Sequence, residues 1–390
     1  MKIQKFPNEL LSSPAQQRVE YFVNHVMSHP ILEQVSKELF LTLYQAGGPS
    51  LIFLLGPTGV GKTTLLKFLV QAVYKKASSR MESDKGYIPI AGISAIAAEF
   101  SQFDWTDFHF RGLRSLQEPL IENKISYKDS KRKLRFAFED TLQNRHLDAF
   151  YIDEAQHMTK VPSGSKLRDQ TDCLKSISNV SGVRMLLVGT YEADALLDLS
   201  DQLCRRSTTI NFPRYIIENE KQIKLLKGLI NSLTCHLPLA EEPDFATHFE
   251  YILERSLGCV GIMKNWFSRT LGAVLEDNDN AHTITLKNLE KQALSPQKCL
   301  TILAAIKRGE EKMTETQDEI SQLRRGLGLQ VEKVNGTSGS DSAKKQRQER
   351  SKSIREVGKP SPRRYELGTE AFFEEPGDEE PNKTEELLNK

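Results

Sequence analysis

The stretch Gly56-Pro57-Thr58-Gly59-Val60-Gly61-Lys62-Thr63, continuing into Thr64, restricts this chain more than any other feature. It satisfies G-x-x-x-x-G-K-[ST] between a short apolar run, LIFLL (51–55), and a helical pattern that starts at Lys62. That strand–turn–helix setting is the one the motif needs. A continuous apolar run of this length marks a strand buried on both faces, as in a parallel sheet. Glycines let backbone amides converge on a polyphosphate without a Cβ in the way. The helix then points its unpaired amides and the positive end of its dipole at the same phosphates. Lys62 supplies charge for the β- and γ-phosphates, and Thr63 supplies a hydroxyl ligand for Mg²⁺. Residues 56–64 are expected to hold a nucleotide.

A second run, Ala149-Phe150-Tyr151-Ile152-Asp153-Glu154, delivers two carboxylates at the end of a strand. Ligands of open α/β sheets bind at the carboxyl ends of the strands. Asp153 is suited to hold Mg²⁺, and Glu154 to orient and deprotonate the attacking water. Thr190, closing the run VRMLLVGT, is expected to sit beside these carboxylates and position that water. Between a predicted helix and the fifth strand lie Cys204-Arg205-Arg206-Ser207. A paired arginine there suits a finger that reaches the γ-phosphate of a neighbouring subunit.

Around these motifs the pattern alternates. Strands are predicted at 51–55, 87–93, 148–153, 183–189 and 208–212. Helices are predicted at 62–75, 105–118, 129–144, 166–179 and 192–204. Such alternation argues an α/β class with a parallel five-stranded sheet covered on both faces. Two helices precede it, the first capped by Ser13 with Pro14 at its first position, the second over 31–45. After Pro213 the pattern is helical only, at 216–233, 243–256, 260–275 and 285–294, as for a small all-α lid. The expected division is an N-terminal helical segment (1–48), an α/β nucleotide-binding domain (49–213), a helical lid domain (214–306) and a charged tail (307–390).

The tail holds 17 basic and 18 acidic residues, sorted into a basic block at 341–364 and an acidic block at 365–390. It has too little apolar surface to offset its ordering entropy, so disorder is expected from about 335, with a helix possible across 310–325. The whole chain, at 390 residues and 38% apolar, can bury a sizeable core. Its net charge of +1 excludes nucleic-acid binding by bulk charge; any such binding needs a local patch or many subunits. Five widely spaced cysteines form no CxxC pair, which excludes a disulfide scaffold and suits a reducing cytoplasm. Neither a signal peptide nor a membrane span is legible, and none of the histidines at 25, 29, 146, 157, 236, 248 and 282 has ligand spacing.

Five stretches together resemble an AAA+ ATPase of the TnsC/TniB type, the regulators of DNA transposition: the phosphate loop, IDEAQHM (152–158), FDWTDFHFRGLRSLQEP (103–119), the VGT strand end and DQLCRRSTTINFPRY (201–215). The resemblance covers about residues 15–295 and implies sheet order 5-1-4-3-2. It implies ATP and Mg²⁺ as ligands, a homo-oligomeric ring or filament on double-stranded DNA, and hydrolysis that disassembles it. It also implies partners: a target-selection protein of the TniQ/TnsD type and transposase subunits. Two departures stand out. Gly261 occupies the place where initiator-type relatives carry a lid arginine, with Lys264 as a substitute, and His109 stands where tyrosine is expected. DNA candidates are Arg111 and Arg114, and a run including Lys128, Lys131, Arg132, Lys133 and Arg135, while Trp105 and Phe108 are expected in the core. A replication initiator or helicase loader is the competing class, but the chain after 295 shows no winged-helix pattern. A nucleotide-gated switch with negligible turnover is a third, opposed by the intact Asp153-Glu154.

Overall fold

The computed structural model describes residues 5–97, 103–118, 131–159, 164–197 and 204–329. Its centre is β1 (Leu51–Leu55), whose five side chains are all fully buried. It lies between β4 (Arg184–Gly189) and β5 (Ser207–Asn211), with β3 (Ala149–Asp153) and β2 (Ile90–Ser94) beyond β4. Every pairing is parallel, and the order β2-β3-β4-β1-β5 is the 5-1-4-3-2 order implied by the resemblance. The registers Leu51↔Met185 and Leu51↔Ser207 align the strand ends, so Leu55, Gly189 and Asn211 finish side by side.

Because strand side chains alternate in direction, β1 to β4 each feed two cores. Leu51, Phe53, Leu55, Phe150 and Met185 face one core, built with Phe108 of α4 (Trp105–Ser115) and Phe138 of α5 (Lys131–Asn144). Ile52, Leu54, Leu186 and Val188 face the other, covered by α2 (Pro30–Tyr44) and α3 (Lys62–Ser83). α6 (Gly164–Ser181) completes the first layer through Leu174 and Ile177. A third core belongs to the lid helices α7 (Glu220–Thr234), α8 (Phe249–Ser256), α9 (Val260–Asp277) and α10 (Leu286–Lys291), packed around Trp266 and Phe267.

The first helix, α1 (Ala15–Asn24), packs against α9 and gives Phe22 to the lid core. Arg18, almost fully buried, donates to Pro238 O (3.0 and 2.6 Å) and Asp279 O (2.8 Å). Three carbonyl contacts satisfy a guanidinium that burial would otherwise penalise. α11 (Pro296–Met313) follows the lid and crosses residue 306 without a break; Ser295 caps it and Pro296 opens it.

Several local expectations shift. Ser13 does not cap α1; its hydroxyl donates to Glu9 O, and Pro14 holds the cap position. α3 runs on to Ser83 because Ala77 keeps its buried face beyond residue 75. β2 starts at Ile90, after Pro89, which has no N–H to give to a ladder. The helix expected at 192–204 is a 3-10 turn, Tyr191–Leu196, and 198–203 lie outside the described residues.

The chain divides into two units, Met1–Glu319 and Ile320–Lys390. Of the second, only 320–329 are described, the end of α12 (Gln317–Gly326), within the segment where a helix was expected; the charged blocks at 341–364 and 365–390 lie outside the described residues. Among the described residues no helix is long and apolar enough to cross a membrane.

Candidate functional site

β1 ends at Leu55 and the chain enters the loop under Gly56, whose N–H donates to Gly189 O (3.3 Å). Gly59 and Gly61 take φ of +74° and +113°, values that other L-residues rarely adopt. Gly61 then caps α3 with no side chain of its own, leaving the first amides of the helix available to an anion. Lys62 folds back onto the loop, donating to Gly56 O and Pro57 O at 2.9 Å each. Burial pushes its ammonium down to about 8, partly offset by the Glu154 and Asp153 carboxylates. Thr64, half-buried, lines a narrow cleft, part of it open to solvent, with Val26, His29, Val60, Leu233, Gly261 and Lys264.

The Thr63 hydroxyl donates to Asp153 Oδ2 at 3.0 Å. The other Asp153 oxygen accepts from the Glu154 N–H at 2.9 Å. Burial raises the Asp153 carboxyl, and these two hydrogen bonds pull it back. Glu154 adopts φ +55°, a left-handed conformation that turns the chain away from the strand direction into the 3-10 turn Ala155–Thr159. Its carboxylate is met by Gln156 Nε2, and Gln156 Oε1 accepts the Thr190 N–H at 3.1 Å. The Thr190 hydroxyl is buried and has no hydrogen-bond partner among the described residues. Thus Lys62, Thr63, Asp153, Glu154 and Thr190 converge at the carboxyl edge of β1, β3 and β4.

The donor set fits a magnesium–nucleotide pair. Thr63 Oγ1 and an Asp153 carboxylate oxygen already touch, forming the hydroxyl–carboxylate pair a hard cation prefers. Thr190 presents an unsatisfied buried hydroxyl beside them, a polar atom that costs free energy until something pairs with it. Residues 45–197 match the family model of an AAA domain. Those residues have the AAA+ P-loop fold. AAA+ domains in general hydrolyse nucleotide and use ATP with Mg²⁺. No curated protein matches the sequence.

Among solved structures, the chain is similar to the Aeropyrum pernix ORC2 protein (17% identity, 78% of this chain and 77% of that one, TM-score 0.49). It is also similar to the A. pernix ORC1 protein solved in complex with DNA (14% identity, 88% and 84%, TM-score 0.49). A third is the Walker-type ATPase of Pyrococcus abyssi (18% identity, 75% and 75%, TM-score 0.42). Likeness at this level implies nothing about substrate or partner.

The AAA+ domain holds its other expected residues elsewhere. Arg205 and Arg206 are exposed, just before β5. Since Ser207 pairs with Leu51 and Asn211 with Leu55, they stand at the opposite end of the sheet from the phosphate loop. At a strand rise of about 3.3 Å per residue the separation is roughly 15–20 Å. Arg206 donates to Asn179 Oδ1 at 2.9 Å.

The DNA candidates lie on two helices that pack together beside β2, α4 and α5. Arg111 is exposed but paired with Asp107 through Nε (2.8 and 2.7 Å), and Arg114, Arg132 and Lys133 are exposed. Arg135 is tied down by Glu139 and Ser176, both at 2.7 Å. The side chain of Lys131 and all of Lys128 lie outside the described residues. Phe108 is 2% exposed and Trp105 packs on it at 4.9 Å, so both belong to the core. His109 is buried in the same aromatic cluster, its ring driven to a pKa of about 4 by burial and then by Arg135.

Lys264 lines the cleft beside Val60, Gly61 and Thr64, but its ammonium is engaged at the end of α1 and not by the loop carbonyls that hold Lys62. Its ammonium donates to Val23 O (2.7 Å) and His25 O (2.6 Å), the carbonyls at the end of α1, where a helix attracts cations. Two features escaped the sequence reading. Gln156 lies in the IDEAQ string but had no assigned task there. Arg214, in NFPRY, forms a two-pronged pair with Glu310 of α11 (2.8 and 3.2 Å) and donates to Leu257 O (3.3 Å). Nothing in local spacing announces a partner 96 residues away.

Proposed function

We propose that this chain is an ATP-dependent regulator of DNA transposition that assembles on target duplex DNA, bridges a target-selection protein of the TniQ/TnsD type and the transposase, and disassembles on hydrolysis. Glu154 takes the proton of the attacking water onto its carboxylate. Lys62 and the amides of residues 59–63 carry the phosphate charge, and the Thr190 hydroxyl orients the water. Thr63 and Asp153 would hold Mg²⁺, which when bound neutralises charge on the phosphate oxygens. The base and ribose occupy the cleft lined by Val26, His29 and Leu233.

The observation that carries the assembly is the position of Arg205 and Arg206 at the far end of the sheet from Lys62. An arginine side chain cannot span that distance within one chain, so a finger at this place acts on a second copy. A low net charge per copy still builds a continuous stripe when copies repeat around a duplex, with Arg111, Arg114, Lys131, Arg132 and Lys133 contributing. The transposition assignment is supported by the five stretches that resemble the TnsC/TniB type.

Electron microscopy with long duplex DNA tests this reading. ATP with Mg²⁺ should produce rings or filaments that vanish on turnover, and Glu154→Gln protein should bind ATP and remain frozen on DNA. Monomers under every condition would end the proposal. Strand opening at an origin, with no recruitment of transposase, would move the chain to the initiator class.

A further inference from the structure

Gln156 is a buried amide with both ends engaged, 7% exposed. Its Nε2 meets Glu154 Oε2, and its Oε1 accepts the Thr190 N–H at 3.1 Å. The fit leaves no spare room: a Cβ added at Gly189 would lie 2.8 Å from Gln156 Oε1 and 3.3 Å from Gln156 N. Gly189 in turn accepts the Gly56 N–H through its carbonyl, at 3.3 Å. The contacts form a chain from the first glycine of the phosphate loop, through the end of β4, to the carboxylate of Glu154.

We propose that Gln156 is a positioning residue for hydrolysis, which fixes the Glu154 carboxylate against the end of β4 and so makes the placement of the base depend on the phosphate loop. The geometry of Glu154 and the chemistry of an amide point this way. Glu154 lies just past the end of β3 in a left-handed conformation (φ +55°), and its side-chain torsions allow several staggered placements of the carboxylate. A second restraint is needed, and Gln156 is the side chain that supplies it. An amide can do this because it donates and accepts at once; a carboxylate or an aliphatic chain of the same length cannot. The inference rests on Glu154 acting as the base.

The test uses full-length protein with duplex DNA, ATP and Mg²⁺. Gln156→Met keeps the volume and removes both hydrogen bonds. It should lower kcat about tenfold to a hundredfold, the effect of losing a hydrogen bond to a charged group, while nucleotide affinity stays within about twofold. Gln156→Glu, which sets a like charge against Glu154, should be at least as slow. In the Glu154→Gln background, Gln156→Met should change the residual single-turnover rate by less than about twofold, because its effect passes through the base. A wild-type kcat for Gln156→Met, or losses that multiply in the double variant, would overturn the proposal. Its failure is separable from failure of the parent reading: the latter shows as undiminished turnover in Glu154→Gln alone.

Discussion

Lys62 makes nucleotide binding a proton-linked event, and the size of the linkage follows from its surroundings. Its ammonium is held by two loop carbonyls at 2.9 Å and pushed from an ordinary 10.5 to about 8 by burial. A polyphosphate beside it should restore the pKa to at least the ordinary value, since an adjacent anion favours the charged form. The free protein must then take up a proton on binding wherever Lys62 is partly neutral. Raising the pH from about 7.5 to 9 lowers the charged fraction of Lys62 roughly eightfold, so ADP or ATP should bind about eightfold more weakly, a change of about 1.2 kcal/mol. The phosphates themselves are almost fully ionised across this range and do not contribute. Without nucleotide the sign reverses for folding: a lysine whose folded pKa is depressed binds fewer protons than the unfolded chain, so stability rises between about pH 8 and 10.5. Titration calorimetry in two buffers of different ionisation enthalpy measures both affinity and proton uptake, expected at about half a proton near pH 8. Affinity constant within twofold across the range, with no buffer dependence of the heat, would refute the reasoning.

Other perturbations separate roles that the fold keeps apart. Replacing Arg205 and Arg206 together with alanine should abolish stimulated hydrolysis with ATP saturating, and mixing this variant with Lys62→Ala protein should recover part of it; no recovery in a steady-state assay counts against a finger shared between copies. Glu310→Ala leaves the Arg214 guanidinium with only the Leu257 carbonyl among the partners named above, and should cost about 1–3 kcal/mol in thermal unfolding. An unchanged melting temperature would show that α11 needs no such tie. Phe108→Ala should destabilise the domain by about 3–5 kcal/mol. Arg132→Ala with Lys133→Ala should flatten the salt dependence of DNA binding, read by fluorescence anisotropy.

The site was most legible where chemistry and local order coincide. Residues 56–63 and 149–154 name their roles because a phosphate cradle and an acid-tipped strand need contiguous residues. Sheet order was reachable only through resemblance, since parallel strands joined by crossovers carry no register signal of their own; the aligned ends of Leu55, Gly189 and Asn211 emerge from packing. Boundaries drifted where a single residue outweighs the periodic pattern, as Pro89 does at the start of β2 and Ala77 does in prolonging α3. Gln156 and Arg214 stayed silent for a different reason. Each acts through partners that only the fold brings near, Thr190 for one and Glu310 for the other, and neither residue type is unusual in its local context. Lys264 was placed near the loop by its motif position, while its two carbonyl partners at the end of α1 come from a helix some 240 residues earlier that no local pattern announces.

The charge around the phosphate loop also bears on why the proposed assembly would be coupled to hydrolysis. A triphosphate brings several negative charges to the loop, and Lys62 meets them with one positive charge. The lid approaches the same loop by backbone alone: Gly261 N–H donates to Gly59 O at 2.7 Å, and Ile262 packs against Gly59. An arginine side chain at residue 261 would start from a Cβ only 2.6 Å from that carbonyl, so the glycine there permits the close lid contact at the cost of a lid cation. Lys264 is committed to α1, and Arg214 to Glu310. On the proposed assembly, charge that spreads onto the γ-phosphate oxygens in the transition state, beyond what Lys62, the loop amides and a bound Mg²⁺ offset, would be met by Arg205 and Arg206 of a second copy. On the proposed reading a lone protomer would bind nucleotide well and turn it over slowly, and contact between copies would complete the site.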